Sequence, residues 1–164
     1  MEINFGPRGI LQIDDARIIY RNFSGRADKY NREGDRNFAV IIPNEELKDK
    51  LINDVNREGV SWNVKIKPPR EEGDTPFMYL PVKVKFSDPG PNVYLKTGDR
   101  MNRLDEESIR CLDDVDIESV DMDIRPYDDV INGKPFRAAY LQSICVTQKI
   151  DRFAARYSTE EEPF

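Results

Sequence analysis

The chain has 164 residues, of which 38% are hydrophobic and 10% aromatic, and its formal net charge is −6 at pH 7. This length allows one domain with its own core, and no apolar segment or charged-then-apolar leader predicts a membrane span or secretion. The chain contains no histidine, which excludes His-assisted nucleophiles and imidazole zinc sites. We therefore expect a cytoplasmic protein that is not an enzyme and needs no cofactor or metal, with Cys111 and Cys145 as reduced thiols rather than a disulfide.

The N-terminal part of the chain predicts two strands joined by a polar loop. Residues 10–21 are rich in Ile, Leu and Tyr and predict a long first strand. Residues 24–36 are polar and punctuated by glycine, which predicts a loop or a hairpin tip. Residues 38–42 predict the returning strand, which Pro43 ends.

A helix is predicted directly after this strand. Asn44 is a suitable N-cap, and Leu47, Leu51 and Val55 recur at helical spacing. Gly59 marks the end of the segment, so we expect one helix of about three turns.

The middle of the chain alternates with the period of half-buried strands. Residues 62–67, 80–86 and 93–96 are each predicted to be a strand, and Trp62, whose alternation partners are aliphatic, is assigned to the core. Residues 105–112 predict a brief second helix.

The strongest turn signal is Asn132-Gly133, which is typical of a type I′ hairpin. It predicts a hairpin between strands at residues 117–125 and 136–148. Many strands and few helices indicate a mainly β protein, and we expect an OB-fold-like antiparallel β-barrel with one or two short helices. Residues 1–150 are predicted to form this domain, and residues 151–164 a disordered acidic tail.

Charge is distributed unevenly along the chain. Residues 105–129 contain eleven acidic and two basic residues, and residues 158–164 carry three further glutamates, so the remainder carries +6. This asymmetry favours a basic binding surface with acidic segments kept apart from it. The alternative is that separated charges only make different faces of the protein soluble.

The last residues are Ser158-Thr159-Glu160-Glu161-Glu162-Pro163-Phe164. This segment resembles the C-terminal tails of bacterial and phage single-stranded DNA-binding proteins, in which acidic residues precede a terminal aromatic. The resemblance implies that Phe164 anchors in an apolar pocket of replication or recombination proteins, while the charges steer the approach. It makes Glu160, Glu161, Glu162, Pro163 and Phe164 candidate protein-interaction residues. Residues 30–40 are also similar to phage replication modules. The alternative is an ordinary acidic terminus.

Cations and aromatic residues are interleaved in and beside the predicted loop. Single-stranded DNA offers a phosphate backbone and unstacked bases, so its binding proteins combine positive charge with aromatic platforms. The alternative is a solvated hairpin tip. The candidate DNA-binding residues here are Arg21, Phe23, Arg26, Lys29, Tyr30, Arg32 and Arg36.

Two predicted strands carry lysines on the face opposite their apolar residues. If these strands are neighbours, their lysines form one basic stripe that basic residues of the next segment extend. The alternative is a solvated sheet face. The candidate residues are Lys65, Lys67, Lys83, Lys85, Lys96, Arg100 and Arg103, with Tyr79 and Tyr94 as candidate base-stacking residues.

The sequence therefore predicts a protein that coats single-stranded DNA without strong sequence preference during replication or recombination, with homo-oligomerisation left open. Two alternatives remain. One is a phage protein-interaction module that does not bind DNA. The other is a magnesium nuclease, because carboxylate clusters bind Mg²⁺. Its candidate ligands are Asp113, Asp114, Asp116, Asp121 and Asp123.

Overall fold

A computed structural model describes residues 1–87, 90–150 and Phe153. Ten strands in these residues form one sheet. They are β1 (Glu2–Phe5), β2 (Leu11–Ala16), β3 (Ile18–Asn22), β4 (Arg36–Ile42), β5 (Lys65–Lys67), β6 (Phe77–Val84), β7 (Asn92–Thr97), β8 (Arg100–Leu104), β9 (Ile117–Ile131) and β10 (Lys134–Gln148). The helical elements are the α-helix α1 (Glu45–Ile52) and two 3₁₀ turns, Pro7–Gly9 and Ser108–Asp113.

The sheet curls because β2 and β3, which lie near its two opposite edges, follow each other directly in the chain. Its strand order is β1-β2-β9-β10-β6-β4-β3, and only Arg17 separates β2 from β3. The backbone N–H of Ile41 donates to the Arg17 carbonyl at 2.9 Å, which joins β4 to this bend. The ladder of strands is not a closed ring, and the architecture is the predicted mainly β, OB-like fold.

Three details of the predicted sheet are wrong. The predicted first strand, residues 10–21, is two strands that Arg17 divides, and the first of them is irregular at Asp15, where φ is 53°. The sheet is not fully antiparallel, since β10 runs parallel to both β6 and β7. The short strands β1 and β8 were not predicted, because neither has a clear apolar alternation.

The core lies inside the curled sheet. Its buried side chains include Phe23, Phe38 and Trp62, and the rings of Phe23 and Phe38 stack with their centroids 5.1 Å apart. Trp62 is buried as predicted, and its indole N–H donates to Asp54 Oδ2 at 2.8 Å. Cys111 and Cys145 are free thiols, as predicted, and burial raises the pKa of both.

Helix α1 begins where the sequence predicts and ends earlier. The Asn44 side chain accepts a hydrogen bond from Leu47 N at 2.9 Å, as expected of an N-cap. The helix ends at Ile52, so Val55 is exposed and Gly59 lies outside the helix. The chain leaves the helix here because Asp54 is held by Trp62, a tertiary contact that helical spacing does not reveal.

The hairpin at Asn132-Gly133 is confirmed. Their φ angles are 51° and 77°, the left-handed pair that a type I′ turn requires. The two strands are longer than predicted, and β9 pairs with β10 from Ile131 back to Ile117.

Two further expectations concern the limits of the chain. Residues 151–164 lie outside the described residues except for Phe153, so the domain boundary at residue 150 and the tail stay predictions. No helix in the described ranges is long and apolar enough to span a membrane.

Candidate nucleic-acid interface

Strand β6 divides its side chains between the core and an outer face. Met78, Leu80, Val82 and Val84 are buried, while the intervening residues point outward. The outward residues are Phe77, Tyr79, Pro81 and Lys83, followed by Lys85 beyond the end of the strand. One face of the strand thus carries two aromatic rings and two cations within nine residues.

Three aromatic rings meet at one end of this face. The ring of Tyr79 lies 5.5 Å from that of Tyr20 and 5.6 Å from that of Phe77, centroid to centroid. Lys67 Nζ donates to the Tyr20 hydroxyl at 3.0 Å and lies 5.2 Å and 5.7 Å from the ring centroids of Tyr20 and Tyr79. The hydrogen bond to Tyr20 raises the pKa of Lys67.

The backbone at Tyr20 is unusual for an aromatic residue. Its φ is 56°, in the left-handed region, and the register of β3 against β4 shifts between Ile19 and Asn22. Such irregularities re-aim side chains and are concentrated at binding sites. As a result, the Tyr20 side chain lines the cleft and is 50% exposed.

A second aromatic pair lies farther along the same face. Tyr140 of β10 pairs with Lys83 of β6 and with Arg125 of β9. Its ring meets that of Tyr127 edge to face at 5.7 Å, and the Arg125 guanidinium lies 5.4 Å from its centroid. We call this outer surface the aromatic–basic face. It comprises Tyr20, Phe77, Tyr79, Tyr127, Tyr140, Lys65, Lys67, Lys83 and Arg125.

A cleft of about 700 Å³ opens on the aromatic–basic face. Strands β4 and β6 line it together with the segment from Asn31 to Asn37. Tyr20, Tyr79 and Tyr140 supply its aromatic surface, and Arg36, Lys83 and Lys85 supply positive charge. Rings for bases and cations for phosphates are the two requirements of a groove for single-stranded nucleic acid.

A family model described as "Putative phage ssDNA-binding domain" matches residues 4–162, almost the whole chain. The chain belongs to this phage ssDNA-binding family. The resemblance seen in the sequence is therefore confirmed. A comparison with curated proteins found no match.

Solved structures of the single-stranded DNA-binding protein from bacteriophage Enc34 share the fold of this family member. The Enc34 protein in complex with ssDNA is 14% identical over 92% of this chain and 93% of that chain, with a TM-score of 0.51. Its C-terminal truncation is 13% identical over 91% of each chain, with a TM-score of 0.51. A third Enc34 structure is 12% identical over 92% of this chain and 87% of that chain, with a TM-score of 0.51.

Two predicted DNA contacts of this phage ssDNA-binding family member have structural roles instead. Phe23 is 0% exposed, so its ring is not available to stack on a base. Arg21 Nη1 donates to the carbonyl oxygens of Leu112 and Val115, both at 2.8 Å. Arg21 therefore joins β3 to the segment around the second 3₁₀ turn. Neither residue belongs to the aromatic–basic face.

The other candidate residues of the predicted loop are exposed or line the cleft. Lys29, Tyr30 and Arg32 are exposed, and Lys29 Nζ lies 5.6 Å from the Tyr30 ring. Arg26 is exposed with Nη2 4.0 Å from Asp113 Oδ2, and Arg36 lines the cleft. Their contact with DNA stays a prediction.

The lysine stripe is divided between two regions. Strands β5 and β6 are neighbours as predicted, but Lys65 pairs with Tyr79 and Lys67 with Phe77, so lysines and rings alternate. Lys83 and Lys85 continue along the same face. The remaining candidates, Tyr94, Lys96, Arg100 and Arg103, lie on β7 and β8, where β7 pairs with the end of β10 rather than with β6.

Two of the carboxylates proposed as magnesium ligands accept hydrogen bonds from the backbone. Asp113 accepts hydrogen bonds from the backbone N–H groups of Phe23 and Ser24, at 2.6 Å and 3.1 Å, and Asp121 accepts from Asp15 N at 2.8 Å. Burial raises the pKa of Asp123. Within residues 1–87 and 90–150, no three His, Cys, Asp or Glu residues form a group that could hold a metal ion.

Sequence reasoning missed five residues of the aromatic–basic face: Tyr20, Phe77, Arg125, Tyr127 and Tyr140. The signal for Phe77 and Tyr140 was present, because each alternates with buried residues of its strand. Tyr20 had no such signal, since its position depends on the register shift in β3.

Proposed function

We propose that this chain binds single-stranded DNA on the aromatic–basic face and coats it without strong sequence preference. The observation that carries the proposal is Lys67, whose ammonium lies beside both the exposed ring of Tyr20 and the ring of Tyr79, 5.2 Å and 5.7 Å from their centroids. A base can stack on a tyrosine while the adjacent cation neutralises a phosphate. Family membership and the ssDNA complex of the Enc34 protein support this assignment.

The absence of sequence preference follows from the type of contact available. Every base has a π-face, so stacking on Tyr20, Tyr79 or Tyr140 is tolerant of sequence. Phosphate contacts from Lys65, Lys67 and other cations carry no sequence information. The protein would act non-enzymatically on DNA exposed during replication or recombination in the cytoplasm of a phage-infected bacterium.

The test is fluorescence anisotropy with a labelled dT oligonucleotide, competed by duplex DNA and by RNA, across a salt series. We expect preferential binding of the single strand, with log affinity falling against log salt at a slope of about −0.7 per phosphate neutralised. A protein that binds no oligonucleotide at low salt, with or without its tail, contradicts the proposal and leaves a protein-interaction module. Magnesium-dependent cleavage of the probe would indicate a nuclease.

The second part of the proposal assigns residues 158–164 to partner recruitment. Deleting them should leave DNA affinity unchanged or slightly higher, since three glutamates no longer compete with DNA for the cationic face. The deletion should abolish binding to phage or host replication and recombination proteins, measured by surface plasmon resonance. Phe164→Ala is the matched control, because it removes the anchor and keeps the charges. It should abolish partner binding and leave DNA affinity unchanged. Clearly weaker DNA binding by the truncated protein contradicts the competition.

A further inference from the structure

One residue of the acidic segment lines the basic cleft, as does Asp35. Glu106 belongs to the acidic segment of residues 105–129, which the charge pattern predicts to lie apart from the basic surface. Instead, Glu106 lines the cleft, and its Oε1 lies 3.3 Å from Nη1 of Arg36. This ion pair joins β4 to a segment 70 residues farther along the chain. Because the ion pair lies in the cleft, it can change the affinity of the cleft for nucleic acid.

Arg36 is held in a defined orientation with donor capacity to spare. Its side chain is 17% exposed, and its guanidinium lies 5.6 Å from the ring centroid of Phe86. Its Nε is buried and has no hydrogen-bond partner in the described part of the chain. A guanidinium has five N–H donors in a planar fork that matches a phosphate. Arg36 is therefore oriented before any ligand arrives, and Glu106 uses only part of its capacity.

Glu106 is the more exposed member of the ion pair. Its side chain is 59% exposed, and the hydrogen bond that its carboxylate accepts comes from Arg36. An exposed carboxylate contributes little to such a pair, because water solvates it well once it is released. Lys83 and Lys85 line the same cleft and would attract a phosphate to this position. When a phosphate takes the place of the Glu106 carboxylate, one anion replaces another beside the Arg36 guanidinium, which is already oriented.

We infer that Arg36 is a phosphate subsite of the cleft and that Glu106 occupies it until a phosphate of the bound strand displaces the carboxylate. This inference rests on the proposed function. It adds that Glu106 competes with DNA phosphates for Arg36. Glu106 lowers the affinity for single-stranded DNA in exchange for keeping a partly buried guanidinium paired in the free protein.

The experiment is a double-mutant cycle read by dT anisotropy at low and at moderate salt. Glu106→Gln should tighten binding by roughly two- to fivefold at low salt, and the gain should shrink as salt rises. Glu107→Gln is the matched control. Glu107 is an adjacent, exposed acid with no side-chain capping hydrogen bond, and its loss should change affinity by less than about 1.5-fold.

The cycle is completed in an Arg36→Met background. This substitution keeps the packing against Phe86 and should weaken binding by about tenfold, as expected for a lost charge-assisted contact. Adding Glu106→Gln should then produce no gain, because the cation that the carboxylate occupies is gone. Arg36→Gln provides a second background if the Met variant melts well below the unsubstituted protein.

The outcomes separate the two proposals. If the unsubstituted protein does not bind the probe, the proposed function itself fails. If it binds and Glu106→Gln has no larger effect than Glu107→Gln, the phosphate subsite is wrong. A gain that persists in both Arg36 backgrounds also overturns it, since that gain would reflect only the net charge of the protein.

Discussion

Replacing Tyr20 and Tyr79 together by alanine should weaken binding of a dT oligonucleotide by about two orders of magnitude or more. Base stacking on an aromatic side chain contributes about 1–3 kcal/mol per base, and these two rings lie next to each other at the cleft. Anisotropy titration measures the loss, and thermal melting shows whether the variant is folded. Tyr94→Ala is the matched control, because Tyr94 lies on β7 and outside the aromatic–basic face.

Salt dependence distinguishes the two kinds of contact. The tyrosine substitutions should leave the slope of log affinity against log salt unchanged, because they remove no cation. Lys67→Met should lower the magnitude of that slope by about 0.7, the value for one lost phosphate contact with a single strand. If Tyr94→Ala weakens binding as much as the Tyr20 and Tyr79 substitutions, the DNA path assigned to the face is wrong.

Arg137→Met should lower the free energy of unfolding by about 2–4 kcal/mol, because it breaks an ion pair whose cation is withdrawn from water. The Arg137 side chain is 7% exposed, and it donates to Asp128 Oδ1 at 2.7 Å and to the Asp54 carbonyl at 3.1 Å. Its guanidinium also lies 5.0 Å from the ring centroid of Trp62. Urea denaturation measures the change. Arg110→Met is the control, since Arg110 is exposed and its Nε donates to the Glu107 carbonyl, three residues away.

The same contact predicts how the effect depends on pH. The hydrogen bond from Arg137 lowers the pKa of Asp128 below its value in the unfolded chain. A carboxylate with a lowered pKa stabilises the fold above its unfolded pKa, and this contribution is lost as the pH falls through the folded value. The stability difference between the unsubstituted protein and Arg137→Met should therefore narrow below about pH 4. If the stability difference does not change with pH, the ionisation of Asp128 does not contribute to it.

The elements that the sequence predicts well are those with a local signal. Asn132-Gly133 specifies its turn through two left-handed residues, and Asn44 specifies the start of α1 through one side-chain hydrogen bond. The alternation of β6 also separates its buried residues from Tyr79 and Lys83 before any tertiary contact is known. Each of these signals lies within a few residues, so it does not depend on the rest of the fold.

The parts that the sequence did not predict depend on distant partners. Phe23 directly precedes the polar stretch that is predicted to be a loop, yet it stacks on Phe38 in the core. Arg21, at the end of the predicted first strand, has no sequence feature that distinguishes it from the exposed cations of the loop, and its role depends on the carbonyls of Leu112 and Val115. Tyr140 lies on the aromatic–basic face because β10 runs parallel to β6 and beside it. No local sequence pattern predicts this pairing.

The bend at Arg17 determines when this protein can fold during its synthesis. Strand β3 finds its partner soon, because Ile18 pairs with Val40, but Leu11 of β2 pairs with Ile124. A nascent chain that has emerged only as far as β8 can form the sheet around β4 and β6, while β2 still exposes its apolar side chains. Such distant pairing slows folding and leaves strands open to aggregation. The complete sheet is therefore expected to assemble only after most of the chain has left the ribosome, and translation that stops before β9 should release an aggregation-prone fragment.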